Sequence, residues 1–206
     1  MTERFTGLAS DERVLLEGCR RGDEQAWLAL YRAYGGDVGR FLKGMLRHSS
    51  EIDDVVQRVF LEFLSSLSRF RGEASLRTWL LRIARNLALR EIRTKSRRQH
   101  YVRAYAETVE EESVSPEGQV HARHQLEQIQ GLLASLDEPF REVWLLREVG
   151  GCSVAEASAV LEIEEATVRS RHYRARRRLI DLLNALDGAD DTRPVALKLV
   201  PKGGAS

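Results

Sequence analysis

The chain has 206 residues and only 4 prolines, the first of them Pro116. Nothing in the stretch before it bars a helix by removing a backbone donor. That stretch also lacks the alternating β-branched runs, bounded by turn residues, that mark strands. Its apolar residues recur at steps of three and four instead, so the chain can bury them only as stripes on helices. Trp27, Leu30, Tyr31, Tyr34, Val38, Phe41, Leu42 and Met45 form one stripe. Gly35 and Gly36 lie in its middle, each costs about 1 kcal/mol of helix propensity, and together they mark a candidate bend. Val55, Val56, Val59, Phe60, Phe63, Leu64 and Leu67 form a second stripe behind Asp53 and Asp54, acids suited to a helix N-terminus. The polar loop 68–74 breaks it. Ser75 then offers an N-cap to a third helix with Leu76, Trp79, Leu80, Ile83, Ala84 and Leu87 on one face.

Residues 99–115 lose periodicity and gather Glu107, Glu110, Glu111 and Glu112, the composition of a flexible acidic linker. Ser115-Pro116-Glu117 starts a further helix with a capping hydroxyl, a proline at the first position and an acid in the first turn. Asp137-Glu138-Pro139 starts the next, with Phe140, Val143, Trp144 and Leu146 as apolar positions and Gly150-Gly151 as the stop. Ser153 and Glu156 have capping-box spacing at the head of a short helix to Leu161. After a break at 162–164, a longer helix carries Val168, His172, Ala175, Leu179, Leu182 and Leu186 on one stripe, which makes a helix-turn-helix pattern. The expected fold is all-α: two small helical domains, residues 1–98 and 116–186, joined by the linker 99–115. For the tail 187–206 disorder is expected, with docking of its apolar run between Pro194 and Pro201 as the alternative.

The net charge of +1 hides a sorting of signs. Residues 77–103 carry 9 basic groups and 1 acid, and residues 169–178 carry 6 and none. The segments that follow and precede these blocks are acidic: 104–119 has 5 acids and no base, and 120–168 has 9 acids and 3 bases. Either basic block alone reads as a solvated helix face; two in one chain favour a polyanion as partner, and nucleic acid above others. The longest run without a formal charge, Gln128 to Leu136, has nine residues. A bilayer span needs roughly 18 or more, so no membrane insertion is expected. With Glu3 and no apolar run near the start, export is not expected either, and the expected compartment is the cytoplasm. Cys19 and Cys152 are too few and too distant for a disulfide framework or a zinc site, and reduced thiols are expected. His121 and His124 lack a third ligand type beside them and read as surface. No phosphate-cradling glycine loop, nucleophile motif or opposed pair of acids points to an enzyme, and no cofactor is expected.

The second basic block presents Arg169, Ser170, Tyr173 and Arg174 from the N-terminal half of its helix, where a recognition helix meets base edges. At 100° per residue these side chains turn away from the Val168 stripe. Arg177 and Arg178 lie further along and suit backbone phosphates. No acid lies between Arg169 and Arg178 to pair with them. In the first block Arg82, Arg85 and Arg93 flank the apolar face, with Asn86 at its edge. Phe70, in a polar loop with Arg71 and Gly72, can stack on an unpaired base or wall a pocket for it, whereas Trp79 in mid-stripe reads as core.

Three motifs carry a resemblance that spans about residues 12–186: Asp53-Asp54-Val55-Val56-Gln57-x-Val59-Phe60; Phe70-Arg71-Gly72-Glu73 followed by Thr78-Trp79-Leu80-x-Arg82-Ile83-Ala84-x-Asn86; and Thr167-Val168-Arg169-Ser170-Arg171-x-x-Arg174-Ala175-Arg176. With these the chain resembles the extracytoplasmic-function sigma factors, two-domain bacterial subunits that direct core RNA polymerase to promoters. The resemblance implies that Asp53, Asp54, Gln57 and their neighbours dock on the clamp helices of the largest polymerase subunits. It implies that the following loop and helix melt the minus-ten element and hold a flipped base at a pocket with Phe70 and Asn86. It assigns the second module to the flap of the other large subunit and to the minus-thirty-five element, through Arg169, Ser170, Tyr173 and Arg174. It places the linker near the RNA exit path and implies an anti-sigma factor as a further partner. A stand-alone helix-turn-helix regulator is the alternative, and it leaves the first module without a purpose. Three departures touch the second module. Ala157-Ser158 stands where the family favours Ile-Ala, which predicts looser packing; Glu164-Glu165-Ala166 brings two acids to where phosphate approaches; and His172 replaces an apolar residue.

Overall fold

The computed structural model describes residues 10–46, 52–70, 72, 74–105 and 130–187, and among these the regular structure is helical throughout. Helix α1 (Ser10–Arg20), to which no stripe was assigned from sequence, buries Leu16 and Cys19. It stops at Gly22, whose φ of 79° is open to glycine without strain. Asp23 then accepts the Gln25 amide at 2.9 Å and caps α2 (Glu24–Leu46). The expected bend at Gly35-Gly36 does not interrupt α2, whose buried face of Leu30, Val38, Phe41, Leu42 and Met45 holds it helical on both sides of the pair. Helix α3 (Ile52–Ser66) has Asp53 and Asp54 in its first turn and buries Val55, Val56, Val59, Phe60 and Phe63. Leu64, counted in that stripe from sequence, is exposed.

Ser75 caps α4 (Leu76–Tyr105) by accepting the Thr78 amide at 3.2 Å. The helix continues through residues 99–105, where the acidic linker was expected to have begun; those residues contain neither Gly nor Pro, so nothing local stops it. The rest of the linker, the helix start at Ser115, the His121 and His124 pair and the tail beyond Asp187 lie outside the described residues.

The second module follows the sequence reading closely. Helix α5 (Glu138–Trp144) starts after Asp137 and passes into a π-helical turn, Leu145–Val149, in which the Gly150 amide donates to the Leu145 carbonyl at 2.8 Å. Helix α6 (Val154–Leu161) has the full capping box: Ser153 Oγ accepts the Glu156 amide at 3.1 Å, and the Glu156 carboxylate accepts the Ser153 amide at 2.8 Å. Glu162, in the left-handed region at φ 57°, ends α6, and α7 (Glu165–Asp187) follows. The expected looseness at Ala157-Ser158 is not seen. Ala157 is fully buried, and the added Ser158 hydroxyl donates to the Ile163 carbonyl at 2.5 Å.

The two groups of helices share a seam. The π-turn rests on α2, and α6 rests on α4. Leu145 and Leu146 of the second module, and Leu80, Leu81 and Met45 of the first, are all at most 1% exposed.

Candidate nucleic-acid and polymerase interfaces

On α7 the core side is Val168, Ala175 and Leu179, all buried. Arg169, Ser170, Tyr173, Arg174, Arg177 and Arg178 are all exposed on the other side. Tyr173 is 68% exposed. Two of these arginines have carboxylate neighbours on their own helix, contrary to the expectation of none: Arg169 donates to Glu165 at 3.1 Å, and Arg177 lies 3.5 Å from Asp181. The acids stand one turn before Arg169 and one turn after Arg177, just outside the interval considered from sequence. Such exposed i,i+4 pairs contribute about 0.3–0.5 kcal/mol and orient the guanidinium without committing it. Arg174 and Arg178 form no ion pair among the described residues. His172 faces inward, its Nε2 2.7 Å from a Glu148 carboxylate oxygen, so it belongs to the packing of the π-turn against α7. Burial holds its pKa below the ordinary 6.5, against the pull of Glu148.

The α4 site is arranged differently. Arg82, Asn86 and Arg93 are exposed and Arg85 is half-buried. Of the aromatic pair, Trp79 packs against the core as expected and Phe70 departs from the sequence expectation. Phe70 is 2% exposed and meets Trp79 edge-on at 5.0 Å between ring centres, while Trp79 is only partly buried. Phe70 is therefore part of the core and not an open ring in a polar loop. One reason is that Arg20, from the end of α1, donates to the carbonyls of Leu67 and Phe70 at 3.1 and 3.2 Å, which draws the loop onto the body of the module. Gly72 follows at φ 74°, a conformation open to glycine without strain. Arg71 lies outside the described residues.

Three carboxylates of the second module lie along this part of α4, and sequence reasoning missed all three. Arg85 binds Glu142 through two parallel contacts, Nε to Oε1 at 3.0 Å and Nη2 to Oε2 at 3.1 Å. Burial holds the Glu142 carboxyl above the usual carboxylate range despite this partner. Arg82 pairs with Glu162. The hydroxyls of Ser75 and Thr78 both donate to Glu156 Oε1 at 3.1 Å. Burial works to raise Glu156, but hydrogen bonds from Ser153, Thr78 and Ser75 outweigh it and its pKa is lowered. The partners are separated by 57 to 81 positions, so no local pattern announces them.

Asp53, Asp54 and Gln57 are exposed on α3. On α2 and α3 also lie Leu28, Tyr31, Leu61 and Leu64, large apolar residues 37–60% exposed, with the Tyr31 ring tilted against Phe60 at 4.9 Å between centres. Cys19 and Cys152 are buried and unpaired; burial pushes the Cys152 thiol up to about 12, which keeps it protonated and unreactive. No group of metal-ligating side chains occurs among the described residues, and no helix among them is long and apolar enough to cross a membrane.

These two helical modules, each with its own basic helix, define a class that comparison with known proteins identifies. Residues 30–98 match the model of sigma-70 region 2, and residues 126–179 match that of sigma-70 region 4. The chain is 34% identical over 185 residues to the ECF RNA polymerase sigma factor SigC of Mycobacterium tuberculosis, covering 85% of this chain and 95% of that protein. It is 31% identical over 184 residues to the ECF RNA polymerase sigma-E factor of Escherichia coli, covering 85% and 93%. Among solved structures it is similar to CnrH in complex with the cytosolic domain of CnrY, with a TM-score of 0.66, 26% identity, and 85% and 99% of the two chains covered. The sigma factor RpoE in complex with the anti-sigma factor NepR from Bartonella quintana shares the fold, with a TM-score of 0.62 at 22% identity over 80% and 98%. The chain belongs to the extracytoplasmic-function sigma factors of RNA polymerase. A stand-alone helix-turn-helix regulator would leave the match over residues 30–98 unaccounted for.

Proposed function

We propose that this sigma factor divides its work among three surfaces. The exposed acids at the head of α3, Asp53 and Asp54 with Gln57, bind the clamp helices of core polymerase, and the second module binds the flap. Arg82, Arg85, Asn86 and Arg93 on α4, with Arg71 in the preceding loop, melt and hold the minus-ten element; Phe70 walls the flipped-base pocket from behind, through Trp79. Arg169, Ser170, Tyr173 and Arg174 read the minus-thirty-five element, and Arg177 and Arg178 hold its phosphates. The observation that carries this reading is the exposed arc of α7: Arg169, Ser170, Tyr173 and Arg174 turned away from a buried stripe in the half of the helix that enters a major groove, with Arg177 and Arg178 further along.

Catalysis belongs to the polymerase, and the chain contributes no catalytic residue and needs no cofactor. It acts in the cytoplasm, and an anti-sigma factor is a further partner, as RpoE of Bartonella quintana forms a complex with the anti-sigma factor NepR. Run-off transcription with core polymerase tests the assignment. Asp53→Arg with Asp54→Arg is expected to abolish co-purification with core while leaving helicity unchanged, and retention of core by this variant removes the clamp assignment. Asn86→Ala is expected to slow transcription from duplex promoters more than from pre-melted ones; equal loss on both removes the melting role.

A further inference from the structure

Two acids, Glu164 and Glu165, stand at the head of α7, where DNA phosphates would repel them. Their roles differ. Glu164 precedes the first turn, and its carbonyl accepts the Thr167 and Val168 amides at 2.9 and 3.1 Å. Glu165 is the first residue of the helix, and its carboxylate meets Arg169 Nη1 at 3.1 Å, one turn on. The two side chains are 47% and 61% exposed. Helical side chains lean toward the N-terminus, so these heads lie at the leading end of α7, the end that a recognition helix directs at base edges. Glu165 also begins a row at steps of four that continues through Arg169, Tyr173 and Arg177, all of them exposed.

We propose that Glu165 and Arg169 act as a couple that reads one G·C base pair of the minus-thirty-five element, with Glu165 as a specificity-determining residue. This rests on the reading of α7 as the helix in the major groove. A carboxylate only accepts hydrogen bonds, and a guanidinium only donates them. In the major groove guanine offers two acceptors, N7 and O6, and the cytosine paired with it offers one donor, the N4 amino group. An A·T pair instead runs acceptor, donor, acceptor. Two donors of Arg169 beside an acceptor of Glu165 match the first order. Against A·T the guanidinium would meet the adenine amino group and the carboxylate would meet thymine O4, like against like. The spacing fits as well. Guanine O6 and cytosine N4 are hydrogen-bonded to each other at about 3 Å, as close as the Glu165 and Arg169 heads at 3.1 Å. An exposed ion pair is held weakly, so the heads can adjust to the two bases without a large loss.

The test uses the full chain with core polymerase and a promoter library randomised over the minus-thirty-five element, read by sequencing the transcribed templates. The parent chain is expected to prefer G·C about tenfold at one position, and Glu165→Ala to reduce that preference to about twofold while leaving the other positions as they were. Arg169→Ala should relax the same position, and the double variant should relax it no further than Arg169→Ala alone. Glu165→Gln keeps the shape and an amide oxygen that accepts from N4, so an intermediate preference is expected; it carries the test if Glu165→Ala loses helicity. A parent without such a position overturns the couple, as does a folded Glu165 variant that keeps the full preference or relaxes a different position from Arg169→Ala. Transcription raised alike from every sequence would make Glu165 a charge that only repels phosphate, and overturns the couple too. If Arg169→Ala and Arg174→Ala both leave every preference unchanged, it is the reading of α7 itself that falls.

Discussion

Helices α4 and α7 both carry a dense arginine block on a helix with one buried face, yet the structure treats them in opposite ways. On α7 the cations stand in solvent and meet at most an acid of their own helix, as Arg169 does with Glu165. On α4 Arg82 and Arg85 meet acids 80 and 57 positions away, one of them almost wholly buried. A charged stripe is therefore a surface only until a complementary one packs on it. Like composition gives an open basic face in one module and a covered one in the other.

The comparison breaks most visibly at Arg85. Arg85→Ala leaves Glu142 buried without its bidentate partner, and the expected cost is about 3 kcal/mol of unfolding free energy, measured by urea titration. Arg174→Ala, at an exposed position, should change that midpoint by no more than about 0.5 kcal/mol. An equal loss for the two would mean that the α4 cations are no more committed than those of α7.

Next in size is the effect of Arg174→Ala on DNA. Its expected cost is about 1–3 kcal/mol on the preferred minus-thirty-five duplex and little on a scrambled one. Arg177→Ala should instead weaken both duplexes alike and lower the salt slope by roughly one unit. Fluorescence anisotropy across a salt series separates them, and equal weakening of both duplexes by Arg174→Ala would make it a phosphate holder.

Arg82→Ala sharpens the contrast within α4. Its ion pair with Glu162 is exposed on both sides, so stability should fall by less than about 1 kcal/mol, well under the Arg85 effect. The smallest effect concerns pH. His172 has a folded pKa below 6.5, so the unfolded chain takes up that proton first as pH falls through 6.5, and stability declines until the folded group titrates as well. His172→Gln should flatten the urea midpoint between neutral and mildly acidic pH; an unchanged slope would assign it to other groups.

What the sequence determined by itself is what neighbours within a few residues decide. The stripes of α2 and α3, the Ser75 cap, the capping box of Ser153 and Glu156, the break at Glu162 and the outward arc of α7 all follow from contacts between positions one to four apart. Helical geometry makes such contacts readable in advance. The π-turn after Trp144 and the continuation of α4 past residue 98 had weaker local signals, because glycine and proline mark where helices stop but their absence does not say how far one runs. Tertiary structure alone decided that Phe70 joins Trp79 in the packing. Both rings are apolar enough to bury, and Arg20, some fifty positions from Phe70, holds the loop that takes Phe70 inside. It alone also decided that Glu142, Glu156 and Glu162 face α4. A carboxylate's partner is set by where the chain returns in space, and charge pattern along a sequence carries no record of that distance.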